Sequence, residues 1–418
     1  VQAFTFFNSV GTALVTNGIF YITASGFGFS RTDNFHLALW IGLTYVVAAS
    51  ATTPALAWVR RRTRLSSRGV LTIVMLLCGC LCLVPLTLQH LPIDEESRPR
   101  VQVAGLWFTV LAYNTLTGVL WPVVESYIAG GRRGDDLRKT MGMWNVVWSS
   151  AAIPAAIISA PMVEKAPAEV IAMMGGIHLG CLALLRWHTR EPVPHLDEHA
   201  PHPPVYEPLL VAFRMLMPMA YMVLTTLTPM LAAMFAAQGV AKEWQPIVGL
   251  AWVVPRVLSF ALFGFWGGWH GTWWAPILGG ACIVAGFGIA VTSAVTVGGL
   301  GPTAVLGVMV AGLTLFGFGM AAVYTGAIYY AMEVHKSDVD AGGTHETLVG
   351  IGYSLGPACG LVATLAVSGR GESNPAESSF GPTLFGMVGL LAVLWTVVVV
   401  RKVGRLSKET GKDRQSPV

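Results

Sequence analysis

Apolar residues in this chain fall in long unbroken runs, with polar residues confined to short stretches between them. Twelve runs stand out, near 3–27, 36–59, 69–90, 101–128, 141–163, 168–186, 208–236, 244–267, 272–295, 303–332, 346–368 and 380–400. Each is near the roughly 20 residues that a helix needs to cross a bilayer. The sixth is the shortest, because Glu169 and Arg186 bracket it closely; Arg186 can lengthen it by snorkelling. No charged residue lies between Arg256 and Glu333, so only the glycine-rich turns Gly267–Gly271 and Gly298–Pro302 separate spans eight, nine and ten. Membrane-spanning strands would alternate polar and apolar residues over about ten positions. Nothing here does. The pattern predicts an all-α membrane protein with twelve transmembrane helices.

The pattern also repeats. The stretch from Gly118 to Pro154 recurs in weaker form from Gly326 to Pro357 at a constant offset that pairs Gly118 with Gly326, Glu125 with Glu333 and Gly142 with Gly350. Trp121 falls on Tyr329 in the same register. A half-chain repeat in an apolar chain predicts two pseudo-symmetric six-helix bundles, as transporters are built. The expected division is 1–186 for the first bundle, 187–207 for a linker, 208–402 for the second bundle and 403–418 for a basic tail without fixed structure. The linker is proline-rich and carries His188, His195, His199 and His202, and reads as an extended tether.

Composition fits this class. The chain is 54% hydrophobic and 11% charged, with a mean hydropathy of +0.62, against roughly a quarter charged residues in soluble domains. The six cysteines lie within apolar runs and are expected as buried free thiols. The first run is too long for a signal peptide and lacks a small-residue cleavage site; it starts abruptly at Val1, so a few residues are expected to precede it.

Charge sets the expected orientation. Alternate connections, together with the C-terminal tail, carry 18 Lys and Arg, and the opposite set carries 6. The positive-inside rule then puts both termini in the cytoplasm, with a plasma membrane (bacterial inner membrane) as the location. Leu91–Arg100 and Ser368–Pro382 face outward.

At this point the layout resembles the major facilitator superfamily, and the resemblance covers essentially the whole chain. Pro54-Ala-Leu-Ala-Trp-Val-Arg-Arg-Arg-Thr-Arg64 keeps the basic cluster of that family's loop 2–3 signature but not its aspartate or second glycine. Glu125 and Arg132 have the Glu-x6-Arg spacing of the fourth helix in the sugar-porter branch; the counterpart at Glu333 has Asp340 where the arginine would be. Gly343, Gly352, Gly356, Pro357 and Gly360 resemble the antiporter glycine-proline motif, displaced from the fifth helix to the eleventh. No branch follows from these motifs. The resemblance implies a secondary transporter, a symporter or antiporter working by alternating access.

Candidate chemistry is sparse. Arg256 lies about twelve residues into the eighth span, beside Pro255 and near Trp252. A guanidinium that deep costs several kcal/mol unless it meets a wet cavity or a carboxylate, and no other span offers a carboxylate at that depth. Asn17, Tyr21, Tyr113, Asn114, Asn145, Trp148, Tyr221, Thr225 and Tyr324 are further candidate cavity residues, each with helix packing as the plainer alternative. Glu125 is expected near the cytoplasmic end of its helix, as a latch that pairs with Arg60, Arg61, Arg62 or Arg132, or else simply as a solvated helix end. Glu333 has no arginine to meet. A proton-coupling role is open to the Glu333, His335, His345 and Glu346 group, because histidine titrates near neutrality. Gly352, Gly356 and Gly360 form either a packing seam or a gate hinge, with the seam preferred.

No phosphate loop, nucleophile elbow, paired catalytic carboxylates or metal-ligand cluster is legible, so neither an enzyme, a cofactor, a metal nor a nucleic-acid partner is expected. The expected partners are a small solute, a coupling ion and the lipid bilayer, with the chain as a monomer. The favoured function is transport of a small polar or amphipathic organic solute, with anionic solutes among the candidates. The alternatives are a transport-inactive receptor or scaffold on the same fold and, less favoured, a membrane-embedded enzyme.

Overall fold

Lipid offers no hydrogen-bond partners, so each apolar run must satisfy its own backbone, and only a helix does so within one segment. In a computed structural model of the chain, which describes residues 1–194, 202–334, 339–368 and 377–413, every run is helical and no strand occurs among the described residues. We number the helices α1 (2–26), α2 (Arg31–Arg62), α3 (Ser67–Gln89), α4 (Arg98–Ala129), α5 (Gly134–Ser159), α6 (Pro167–Leu185), α7 (Tyr206–Ala237), α8 (Lys242–Phe265), α9 (Trp274–Leu300), α10 (Pro302–Val334), α11 (Val339–Ser368) and α12 (Glu377–Asp413). Among the described residues, eleven are long and apolar enough to cross a membrane. The twelfth, α1, is broken by a π-helical turn over Leu14–Gly18. The short sixth span holds as a helix of 19 residues.

Local sequence sets several boundaries. Ser30 and Asp33 form a reciprocal capping box at the start of α2. Ser66 caps α3 through the Gly69 amide. Two expectations fail here. The tail does not lose its structure at residue 403, because α12 continues to Asp413. The first part of the linker is no free tether: Tyr127 donates to the Thr189 carbonyl at 2.9 Å, Arg68 to the His188 carbonyl at 3.1 Å, and Arg60 meets Glu191 at 3.3 Å. Residues 195–201, with His195 and His199, lie outside the described residues.

Helices α1–α6 and α7–α12 form two bundles. Across the gap between them α2 packs on α11 and α5 on α8. In lipid the hydrophobic effect does not drive these contacts, so close approach of small residues does. A Cβ on Gly142 would lie 2.4 Å from the Gly264 Cα, and one on Gly350 would lie 2.7 Å from the Val46 Cα. Gly352 and Gly356 serve a different surface, where backbone of α7 lies within 2.6 Å and 2.3 Å of their would-be Cβ atoms. Outward faces carry exposed Trp40, Phe108, Leu258, Phe265 and Leu365, which suits contact with lipid. Five cysteines are buried as expected, but Cys80 is exposed on such an outward face.

Candidate functional site

Between the bundles lies a cavity of about 130 Å³. At roughly 10–15 Å³ per water, it holds about ten waters or a small organic molecule. Its wall comes from both bundles and includes Asn17, Tyr21, Tyr45, Trp148, Tyr221 and Arg256. Asn17 sits in the π-helical turn of α1, a distortion that frequently marks functional positions in helices.

Arg256 is 5% exposed and lines this cavity. Its Nε donates to Ser149 Oγ across the bundles at 2.9 Å. The guanidinium lies over the rings of Trp148, at 4.8 Å, and Trp252, at 4.4 Å. Cation–π contact lowers the cost of the buried charge. No hydrogen bond from its Nη atoms occurs among the described residues, which leaves the two-pronged end of the fork open to the cavity.

Not every candidate lines the same space. Trp252 and Tyr324 do. Tyr113 and Asn114 do not: Tyr113 pairs with His178 at 2.7 Å and Asn114 donates to the Val110 carbonyl at 2.8 Å, both fully buried in the first bundle. Asn145 is buried behind Trp148 and accepts its indole N–H at 3.0 Å. Thr225 bonds the Gly352 carbonyl at 3.1 Å and touches only a small side pocket that Asn17 and Tyr353 share. These four misplacements have one cause. On a helix that faces lipid on one side and apolar neighbours on the others, sequence does not reveal which face turns to the cavity.

One carboxylate joins the cavity wall. Glu346 lines the same cavity as Arg256, so the cavity does hold a carboxylate. Tyr45, which sequence reasoning missed, donates its hydroxyl to Glu346. Trp121, Trp144, Ser149 and Tyr353 were missed as well; all four lie in the repeated stretch or its recurrence, which was the available signal.

No ion pair between Glu125 and Arg60, Arg61, Arg62 or Arg132 occurs among the described residues. Glu125 is fully buried, and one ligand-type atom each of Glu125, His345 and Glu346 lies within 4.8 Å of the others. The sequence expectation of no metal-ligand cluster therefore missed one candidate triad, because α4 and α11 supply it jointly. Two charged carboxylates at such a distance would repel by at least roughly 3 kcal/mol at an effective dielectric of about 20. Neither ring nitrogen of His345 has a hydrogen-bond partner among the described residues, and Glu125 meets only the Glu346 carboxyl, a contact that becomes a hydrogen bond when one of the two is protonated. A Cβ on Gly342 would come within 2.6 Å of Glu125 Oε2, so glycine there lets α11 approach the carboxylate. The expected arginine partners are engaged elsewhere: Arg60 with Glu191, Arg132 with Asp136 at 3.7 Å, and Arg62 over the Trp58 ring, while Arg61 is exposed. His335 and the side chain of Asp340 lie outside the described residues.

The bundles meet on both sides of the cavity. On the side that carries the termini, Glu333 accepts the Gly134 amide at 2.9 Å and Arg138 donates to the Gly264 carbonyl at 2.7 Å. On the opposite side Lys242 pairs with Glu164 at 2.7 Å.

Two six-helix bundles around a central cavity define a class of membrane protein, and solved structures share it. A bacterial homolog of the human lysosomal transporter Spinster, in an inward-facing and occupied conformation, matches with a TM-score of 0.59 and 14% identity, covering 100% of this chain and 97% of that one. The proton:xylose symporter XylE, of the major facilitator superfamily, matches with a TM-score of 0.61 and 10% identity, over 94% and 92%. The human organic anion transporter MFSD10 matches with a TM-score of 0.57 and 13% identity, over 94% and 98%. No protein-family model matches the sequence, and no curated protein matches it either. The chain has the major facilitator fold, and it is an integral membrane protein.

Proposed function

We propose that this protein is a secondary transporter that moves a small polar or amphipathic organic solute bearing an anionic group across the membrane by alternating access. The observation that supports it is Arg256: a buried guanidinium held at Nε by Ser149, with its two Nη atoms open to a cavity between the bundles. That fork matches a carboxylate or phosphate in a bidentate pair. Aromatic walls from Tyr21, Trp148, Tyr221, Trp252 and Tyr324 supply apolar surface for the rest of the solute. Similar folds include a xylose symporter and an organic anion transporter, so the fold admits such solutes and the choice rests on the cavity.

In this reading 1–186 and 208–402 rock against each other, with 187–207 as the link. Solute enters from one side only when that side's contacts between the bundles separate. Glu125, Glu333 and Arg138 act on the side of the termini, and the Lys242–Glu164 pair acts on the other. A coupling cation is taken up beside Glu346 and His345, where a positive charge offsets the two carboxylates. Both termini face the cytoplasm of a plasma (bacterial inner) membrane, and the monomer is the working unit.

The test is a thermal-shift screen of small organic anions on purified protein, followed by counterflow in liposomes. A ligand at a hundred times its dissociation constant adds about 2.7 kcal/mol of stability. Anions that stabilise the protein and exchange across the membrane support transport. Tight binding without counterflow would convert the reading to a receptor.

A further inference from the structure

We infer that Glu125, His345 and Glu346 form a binding site for a divalent first-row transition-metal cation, one that closes only when the two bundles are together. The inference rests on the two-bundle reading above, but not on the identity or charge of the solute.

Three features of the cluster carry it. First, the donor set is complete enough to hold an ion: two carboxylates and one imidazole, with one ligand-type atom from each within 4.8 Å of the others. Ligands about 2.1 Å from a common zinc ion lie roughly 3–4 Å apart in tetrahedral geometry, so small side-chain rotations suffice to close the site. Second, its polar atoms lack fixed partners. Both nitrogens of His345 are buried with no hydrogen-bond partner, Glu125 meets only the Glu346 carboxyl, a contact that needs one of the two to be protonated, and both Glu125 and His345 are 0% exposed. Buried polar groups in folded proteins are satisfied in the great majority of cases, and a cation accepts lone pairs from all three side chains at once. Third, the second sphere is built. Tyr45 donates to one oxygen of Glu346, and Tyr324 packs edge-on against His345 at 5.2 Å, which orients both ligands.

The chemistry selects the cation class. Calcium and magnesium favour all-oxygen sites with several ligands or waters, and Cu(I) favours sulfur. Mixed imidazole and carboxylate donors suit manganese, iron, cobalt or zinc in the divalent state. A divalent ion also balances the two carboxylates, whereas one shared proton neutralises only one of them.

Position gives the site its role. Glu125 belongs to α4 in the first bundle, and His345 and Glu346 belong to α11 in the second. Separation of the bundles on this side divides the ligands, so the ion favours the state in which they meet. Ligand and conformation are then linked in both directions. Because Glu346 also lines the central cavity, the ion lies at the cavity wall on the side of the termini.

The experiment uses the full chain, purified with any polyhistidine tag removed and stripped with a chelator, then titrated with Mn²⁺ or Zn²⁺ by calorimetry and thermal shift. The expected result is one saturable site per chain, a rise in melting temperature with metal, and reversal by chelator. Glu125→Gln and His345→Ala should each weaken binding at least tenfold. His202→Ala, at a surface histidine that pairs with Glu207 in the linker, should leave it unchanged. Mn²⁺ electron paramagnetic resonance gives a second readout on Glu346→Gln should His345→Ala fail to fold: loss of nitrogen-coordinated, immobilised Mn²⁺ is expected. No saturable binding up to millimolar metal, in protein that still binds or exchanges its solute, overturns the metal site and leaves the transporter reading standing. Binding that survives both Glu125→Gln and Glu346→Gln also overturns it. Uptake that depends on pH but is indifferent to metal and chelator assigns the pair to protons and overturns it too.

Discussion

Glu333 accepts the amide of Gly134, the first residue of α5, at 2.9 Å across the two bundles. Its counterpart in the internal repeat, Glu125, also reaches into the opposite bundle, to His345 and Glu346 near the start of α11. One carboxylate at the end of α4 and one at the end of α10 thus each meet the start of the pseudo-symmetric helix opposite. Glu333 meets a bare helix N-terminus, where a carboxylate gains from the free amides and the helix dipole. Glu125 meets a histidine and a second carboxylate. The repeat supplies two similar contacts, and sequence divergence gives them different chemistry.

Glu333→Ala removes one closing contact on the side of the termini, and Lys242→Ala removes one on the other. The Lys242–Glu164 pair is about half exposed, and such pairs contribute about 0–1 kcal/mol. We expect Lys242→Ala to leave the melting temperature nearly unchanged. A cysteine placed in the cavity should react faster from the side of the termini in Glu333→Ala, and from the opposite side in Lys242→Ala. Equal labelling rates in both variants and the parent would show that neither contact governs access.

Arg256→Lys keeps the charge and loses the planar fork. The protein should fold, and affinity for an anionic solute should fall at least tenfold. Unchanged binding and uptake would retire the role of Arg256 in solute recognition and any statement about solute charge that depends on it.

Gly142→Leu places a branched side chain where even a Cβ would sit 2.4 Å from the Gly264 Cα. Overpacking of this kind costs about 1–3 kcal/mol. The cost falls only on the state in which α5 and α8 touch. We expect a shift toward forms open on the side of the termini, read as faster labelling there, together with a lower melting temperature. A variant with parent-like labelling and stability would mean that the helices close elsewhere.

His270 lies in the turn between α8 and α9, stacked on Tyr329 at 4.5 Å. Burial, and next the nearby Arg138, hold its pKa down at about 4, against an ordinary value of 6.5; Asp135 acts weakly in the other direction. The unfolded chain therefore takes up a proton at this residue as pH falls below about 6.5, while the folded protein does not until about 4. Stability contributed by neutral His270 is complete above 6.5 and is lost as pH falls through that window. Between pH 7 and pH 4.5, His270→Phe should lose less melting temperature than the parent. An equal loss in both would remove His270 as a contributor.

Orientation is open to direct measurement. A tag on the C-terminus should be protected from protease in right-side-out vesicles, and Glu95→Cys should be labelled from outside. An externally accessible C-terminus would reverse the assignment drawn from the positive charges.

The sequence by itself determined that the chain crosses a membrane as helices, how many runs do so, and that its two halves are related. Each of these follows from local physics: a backbone in lipid must bond to itself, so the length and spacing of apolar runs are enough. It also marked Arg256, because a lone charge in an apolar run is conspicuous whatever surrounds it. Only the tertiary structure decided what the polar groups meet. Glu125 has arginines near it in the chain and finds His345 and Glu346 instead, because α4 and α11 cross where Gly342 permits close approach. Tyr113, Asn114 and Asn145 turn inward to helix partners, while Tyr45, Trp121 and Tyr353 turn to the cavity. In soluble proteins water sorts helix faces into polar and apolar, and the sequence records it. Here lipid and the buried interfaces are both apolar, so the rotation of each helix is set by packing between bundles and leaves little trace in the order of residues.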